Sequence, residues 1–112
     1  LQTLLYFASS VQIAFQLDYH PYRFAEKPGE ELSAQRRGHL RLRETWKVVN
    51  DQIGDNHWIL GDVFSAVDIY LYMLTTWLNQ SRGHPAIAEF PNVQRITDEV
   101  AKRASIRKVY GL

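Results

Sequence analysis

Residues 65–78 read SAVDIYLYMLTTWL, and this stretch decides the fold. From Ile69 to Leu78 it is apolar on nearly every side, which predicts a helix buried in the middle of a helical bundle. Ser65 and Asp68 have the S-x-x-D spacing of a capping box, in which the hydroxyl and the carboxylate each accept a backbone N–H at the start of the helix. The two side chains are therefore predicted to be structural rather than catalytic.

Proline and glycine residues divide the rest of the chain into further helices. We expect a first helix over residues 1–19 and a second over residues 30–53. A fourth helix begins near Pro91, because proline suits a first helical turn, and a fifth covers residues 104–110. No run alternates apolar and polar residues for long enough to form a half-buried strand. The predicted fold class is all-α, a bundle of five to six helices around a central helix that begins near Ser65.

The composition limits the classes of function. The chain has 112 residues, enough for one domain, and 13 Lys and Arg against 12 Asp and Glu leave a net charge of +1. A charge this small gives no electrostatic footprint for nucleic acid or for an anionic membrane, so neither is expected as a partner. The absence of cysteine excludes disulfides, thiolate metal ligands and a Cys nucleophile within this chain. The uncharged residues 1–17 contain too many Gln and Ser side chains for a membrane span and fit a buried helix.

Neither the histidines nor Asp18 are expected to form a functional site. The histidines lie on separate segments without the paired spacing that metal ligands need, so no metal site is predicted. Asp18 stands near the predicted end of the first helix and is expected to be solvated. The four histidines are His20, His39, His57 and His84.

Residues 58–71, WILGDVFSAVDIYL, resemble the core segment of the C-terminal domain of cytosolic glutathione transferases. In that family, an aromatic residue and Leu-Gly precede a short loop and a capping box that opens the central helix. The similarity extends along the whole chain in order, although Ala104 stands where the family usually has proline. The supporting stretches are LLYFASS at 4–10, YHPYR at 19–23, FPNVQRI at 90–96 and KRASI at 102–106.

The resemblance implies a larger protein. Members of this family are usually dimers of two-domain subunits, in which an N-terminal thioredoxin-like domain binds glutathione and carries the Ser, Tyr or Cys that activates its thiol. The helical domain supplies most of the pocket for the hydrophobic co-substrate. We therefore expect residues 1–112 to be the C-terminal domain of a bacterial-type, cytoplasmic, homodimeric enzyme, with the thioredoxin-like domain outside this chain. Glutathione is the implied co-substrate of the full-length protein, and no catalytic, cofactor-binding or metal-binding residue is assigned here.

The first helix carries a second apolar stripe besides the one that faces its own bundle. In the family this helix lines the cleft toward the thioredoxin-like domain, which implies a pocket for a small hydrophobic electrophile. The residues implied to bind that substrate are Tyr6, Ser10, Ile13, Ala14, Leu17 and Trp77. The alternative is that these side chains only pack against a neighbouring domain. Some bacterial members hold glutathione with polar residues of this helix, and Val11, Ile13 and Ala14 stand in their place, so little glutathione binding is expected here.

Several functions remain open at this point. The leading hypothesis is conjugation, in which this domain desolvates and orients the electrophile next to the glutathione thiolate. The isolated chain is then expected to be inactive. The alternative is a non-catalytic helical module for protein–protein interaction, like the related domains of translation factors and synthetase complexes. Glutathione-dependent reduction or isomerisation is not distinguished from conjugation by these residues.

Overall fold

The computed structural model describes residues 6–24, 26–27 and 29–111, which form a helical bundle. The prediction of an all-α fold is confirmed, and residues 1–5 of the predicted first helix lie outside the described part. The α-helices are α1 (Gln12–Tyr19), α2 (Glu30–Ile53), α3 (Ala66–Thr75), α4 (Pro91–Ala101) and α5 (Ala104–Tyr110). A π-helical turn at Phe7–Val11 leads into α1, and 3₁₀ turns cover Pro21–Arg23, Gln80–Arg82 and Ile87–Glu89. None of the described helices is both long enough and apolar enough to cross a membrane.

The central helix α3 begins with the bond that the capping-box spacing predicts. The backbone N–H of Ser65 donates to Asp68 Oδ2 at 2.9 Å, and the Ser65 hydroxyl also accepts from the N–H of Val67 at 3.3 Å, so both halves of the capping box are present. The other oxygen of Asp68 accepts from the N–H of Ile59 at 2.9 Å. Because Asp68 is fully buried, its carboxylate stabilises both the start of α3 and the loop before it.

The end of α3 differs from the prediction, because the helix stops at Thr75 instead of reaching Leu78. The hydroxyls of Thr75 and Thr76 donate to the carbonyls three residues earlier, at 2.7 and 2.6 Å. The backbone N–H groups of Thr76 and Trp77 also bond three residues back, which tightens the last turn. Trp77 therefore lies in the turn after the central helix.

Helix α2 packs against α1 at a glycine. A Cβ atom at Gly38 would lie 2.8 Å from the Cβ of Leu17 and 3.1 Å from the carbonyl oxygen of Ala14, closer than real side chains approach. Ala14 and Leu17 are accordingly buried at this contact, with 0% and 4% of their surfaces exposed. Because α1 and α2 lie this close together, the next residue of α1, Asp18, also faces α2.

Helices α2 and α4 are joined by a polar contact at the start of α4. Phe90 provides no side-chain cap there, and Asn50 of α2 takes that role. Its Oδ1 accepts from the N–H groups of Asn92 at 2.8 Å and Val93 at 3.2 Å. Below this contact lies a continuous apolar core from α2, α3 and α4. Its fully buried members include Leu42, Trp46, Leu71, Leu74, Val93, Ile96 and Val100.

Candidate functional site

A pocket of about 420 Å³ opens between the C-terminal ends of α1 and α3. Its size lies within the range of small-molecule sites, which are concave and mostly apolar with a few placed polar groups. The residues that line it are Phe15, Gln16, Tyr19, His20, Arg23, Thr76 and Trp77.

The apolar side of the pocket is an aromatic wall formed by Phe15, Tyr19 and Trp77. The ring of Phe15 meets that of Trp77 edge-on, with 5.5 Å between centroids, and lies nearly parallel to that of Tyr19 at 6.3 Å. The Tyr19 hydroxyl donates to the carbonyl of Trp77 at 2.6 Å. This bond ties the end of α1 to the turn after α3, so the backbones that carry the wall are held together.

The polar side of the pocket includes a basic rim formed by His20 and Arg23. Pro21 ends α1 and starts a 3₁₀ turn, which places both residues beside the end of the helix. The Arg23 guanidinium lies 5.8 Å from the centroid of the exposed Tyr22 ring, and the Tyr22 hydroxyl is 3.4 Å from His20 Nδ1. Within the described part of the chain, Arg23 makes no ion pair with a carboxylate.

Behind the aromatic wall lies a buried carboxylate, that of Asp18, which is 2% exposed. Its Oδ2 accepts from Arg82 Nε at 2.8 Å and from His84 Nε2 at 2.7 Å, and its Oδ1 from His39 Nε2 at 3.0 Å. The Asp18 carbonyl also accepts from Arg82 Nη2 at 3.1 Å. We refer to Asp18, His39, Arg82 and His84 as the Asp18 cluster. The expectation that Asp18 is solvated is therefore wrong, because three side chains, from α2 and from the turn at 82–84, donate to its carboxylate.

The Asp18 cluster also brings together two histidines that the sequence places on separate segments. The ring centroids of His39 and His84 are 5.7 Å apart. Gly83 allows this approach, since its backbone has a φ of +90° and a Cβ there would lie 3.2 Å from the His39 ring. A residue with a side chain at this position would disfavour the turn and push on the ring at the same time.

The hydrogen bonds decide between a metal site and a hydrogen-bonded carboxylate. Ligand atoms of Asp18, His39 and His84 lie within 4.8 Å of one another, a spacing that a metal site requires. However, the N–H of Asn79 donates to His84 Nδ1 at 3.0 Å, so the ring proton is on Nε2, which then has no lone pair for a metal. Arg82 adds a guanidinium to the same carboxylate oxygen. The arrangement therefore favours a carboxylate satisfied by three donors.

The surroundings shift the pKa of the acidic groups in opposite directions. Burial alone raises the pKa of Asp18, but the hydrogen bonds from Arg82, His84 and His39 outweigh it and hold the pKa below its ordinary value. Burial raises the pKa of Tyr19, and the nearby Arg82 charge offsets only part of that rise. Asp18 is thus a carboxylate at neutral pH, and Tyr19 is a protonated donor.

The Asp18 cluster and the aromatic wall are in direct contact. The Arg82 guanidinium lies 4.4 Å from the centroid of the Tyr19 ring, a cation–π distance. The His84 ring meets Tyr19 edge-on at 5.4 Å and Phe15 at 5.7 Å. A substitution in the Asp18 cluster is therefore expected to affect the positions of the aromatic side chains that line the pocket.

The residues predicted to bind substrate fall into three groups. Trp77 lines the pocket. Tyr6, Ser10 and Ile13 are half-buried outside it, and burial together with the Glu44 charge raises the pKa of Tyr6. The other two, Ala14 and Leu17, are buried under α2. Substrate binding by these six residues stays a prediction.

Sequence reasoning missed most of the pocket. Neither Phe15 nor Tyr19 is among the residues that the sequence predicts to bind substrate. The available signal was Pro21, since a proline two residues after the aromatic end of a helix turns the chain and sets His20 and Arg23 beside that end.

Comparisons with known proteins agree with this architecture. Residues 11–104 match the family model described as glutathione S-transferase, C-terminal domain. Among solved structures, a glutathione transferase homologue from Sulfitobacter with bound glutathione matches with a TM-score of 0.86 and 22% identity. The match covers 98% of this chain and 52% of that one, so the chain spans about half the length of that protein. A search of curated protein sequences finds no match.

Proposed function

The chain belongs to the glutathione S-transferase C-terminal domain family, and from this premise we propose that it is the co-substrate half of a glutathione transferase. In the full-length protein, a thioredoxin-like domain would hold glutathione and stabilise its thiolate. The helical domain would bind a hydrophobic electrophile, remove water from it and orient it toward the sulfur. None of its side chains need react. The isolated chain should therefore show no conjugating activity.

The pocket between α1 and α3 is the observation that supports this proposal. Its aromatic wall offers edges and faces to a planar ring, and such contacts favour aromatic ligands beyond simple burial. Because Tyr19 is bonded to the backbone of Trp77, the wall is formed before a ligand arrives, and little free energy is spent on ordering it.

The predicted binding residues take distinct parts in the proposal. Trp77 would contact the electrophile together with Phe15 and Tyr19. Ala14 and Leu17 would not contact the electrophile but would hold α1 against α2. Tyr6, Ser10 and Ile13 would face the thioredoxin-like domain or a second subunit of a homodimer. We propose a cytoplasmic location for the enzyme, where glutathione is abundant.

Replacing Trp77 in the full-length protein tests the role of the pocket. With glutathione and a chlorodinitrobenzene, Trp77→Leu should raise the KM for the aryl halide about tenfold, which corresponds to about 1.4 kcal/mol of lost contact. The KM for glutathione should not change. Tyr72→Leu is the matched control, since Tyr72 is a half-buried aromatic outside the pocket that packs on Tyr110. An unchanged KM for the aryl halide in Trp77→Leu would remove the pocket from the mechanism.

The alternative function, a module for protein–protein interaction, has one observation in its favour. Leu32 and Leu40 of α2 are 55% and 65% exposed, and a partner that covered them would remove apolar surface from water. The natural reading frame upstream of Leu1 separates the two functions. A thioredoxin-like domain with an activating Ser, Tyr or Cys supports the enzyme, whereas an unrelated neighbour supports the interaction module.

A further inference from the structure

The pocket between α1 and α3 has an uneven charge distribution. Of the residues that the structure describes, seven line the pocket; none of these is acidic, and two of them, His20 and Arg23, are basic. The nearest described carboxylate on α1, that of Asp18, faces α2 and is already bound by Arg82, His84 and His39. Among the described residues, the charge of Arg23 is thus left without an anionic partner at the mouth of an aromatic pocket.

A guanidinium in this position suits an anionic group. Its planar fork binds a carboxylate or sulfonate through two parallel N–H donors, which a neutral amide cannot match. The attraction is stronger at the edge of an apolar pocket than in bulk water, because the surrounding rings lower the local polarity. The aromatic wall and Arg23 together define a ligand with an apolar ring at one end and an anion at the other.

We propose that the pocket takes planar aromatic compounds that carry a carboxylate or sulfonate, with the ring against Phe15, Tyr19 and Trp77 and the anion at Arg23. This inference rests on the proposed function of the pocket and narrows its substrate class. The two carboxylates of glutathione share the same chemistry, so the test must separate them from the acid of the aromatic ligand.

The experiment uses the full-length protein and a matched pair of ligands, naphthoate and naphthamide. Both have the same rings, but only naphthoate is charged at neutral pH. Calorimetric titrations would give the Kd of each ligand, and a third titration would use glutathione alone. We expect naphthoate to bind about tenfold more tightly than naphthamide, as for one charge-assisted contact.

Variants of the arginine locate the effect. Arg23→Gln should abolish the preference for naphthoate and leave the Kd of naphthamide within about twofold. Arg23→Lys should keep part of the preference, because it keeps the charge but not the fork. Arg41→Gln, at an exposed arginine of α2 outside the pocket, removes the same charge and should leave both Kd values unchanged.

Four results would overturn the inference. Equal binding of the two ligands, or a preference that survives in Arg23→Gln, would remove Arg23 as an anion site while the pocket keeps its proposed role. Loss of glutathione binding in Arg23→Gln, with naphthoate unaffected, would assign the arginine to glutathione instead. Failure of both naphthalene ligands to bind would overturn the proposed function of the pocket together with the inference.

Discussion

The burial of Asp18 leads to a quantitative prediction for Asp18→Asn. Asparagine has the same shape, and its one carbonyl oxygen can take the place of Oδ2 and accept from Arg82 and His84. Its amide nitrogen then faces His39, which can move its ring proton to Nδ1 and accept. The change therefore keeps three hydrogen bonds and removes one charge.

The expected cost follows from those contacts. Two bonds to a charged acceptor become bonds to a neutral one, at about 1 kcal/mol each, so Asp18→Asn should lower the free energy of unfolding by about 2 kcal/mol. For a domain of this size the melting temperature should fall by roughly 10 °C. Asp18→Ala should cost more, about 3–5 kcal/mol, because it leaves the buried Nε2–H of His84 without an acceptor.

Urea unfolding followed by circular dichroism measures the difference, and pH supplies a second test. Because the pKa of Asp18 in the folded chain lies below its ordinary value of 3.8, its contribution to stability is present above that value. It is lost as the pH falls through the lowered pKa, so wild type and Asp18→Asn should converge once the pH is below that lowered pKa. Glu99→Gln removes one charge from an exposed ion pair with Lys102 and should leave the midpoint unchanged. A neutral-pH difference below about 0.5 kcal/mol would refute the cluster as a stabilising element.

Three other substitutions test the packing that positions the site. Gly38→Ala should destabilise the chain by about 1–3 kcal/mol, because the methyl group of the alanine meets Leu17 and the α1 backbone. This clash should outweigh the better helix propensity of alanine, and a variant that is more stable in urea would contradict the close approach. Asn50→Ala should cost about 1–2 kcal/mol and speed hydrogen exchange in the first turn of α4, whereas unchanged exchange there would exclude the cap. Asp68→Ala should cost about 3 kcal/mol in the same assay, since the half-buried N–H groups of Ile59 and Ser65 lose their acceptor, and an unchanged midpoint would contradict the assignment.

The helices were predictable from the sequence because their signals are local. Pro91 and the capping box at Ser65 mark helix starts within a few residues, and the structure places α4 and α3 there. The early end of α3 was not predictable from its apolar pattern, since the backbone tightens to bonds three residues back at Thr76 and Trp77 while Trp77 and Leu78 continue the apolar pattern.

The candidate site was harder to predict because its contacts are distant in sequence. Asp18 meets His39 across 21 positions and His84 across 66. The residues next to Asp18 in the sequence give no sign of these donors. A charged side chain near a helix end is ordinarily solvated, so the sequence predicts the same for Asp18. The pocket was missed for a similar reason, since its wall joins α1 to a turn 58 positions later.

The same long separations bear on how the chain folds. Helices and the capping box at Ser65 can form early, because each closes only a short loop. The contacts of Asp18 with Arg82 and His84 require the chain to return across more than half its length, and that closure is entropically costly until the core has collapsed. The cluster should then contribute little to the transition state, so weakening it accelerates unfolding and leaves the folding rate nearly unchanged. We therefore expect the contacts of Asp18 to form after the folding transition state and to prolong the lifetime of the folded pocket.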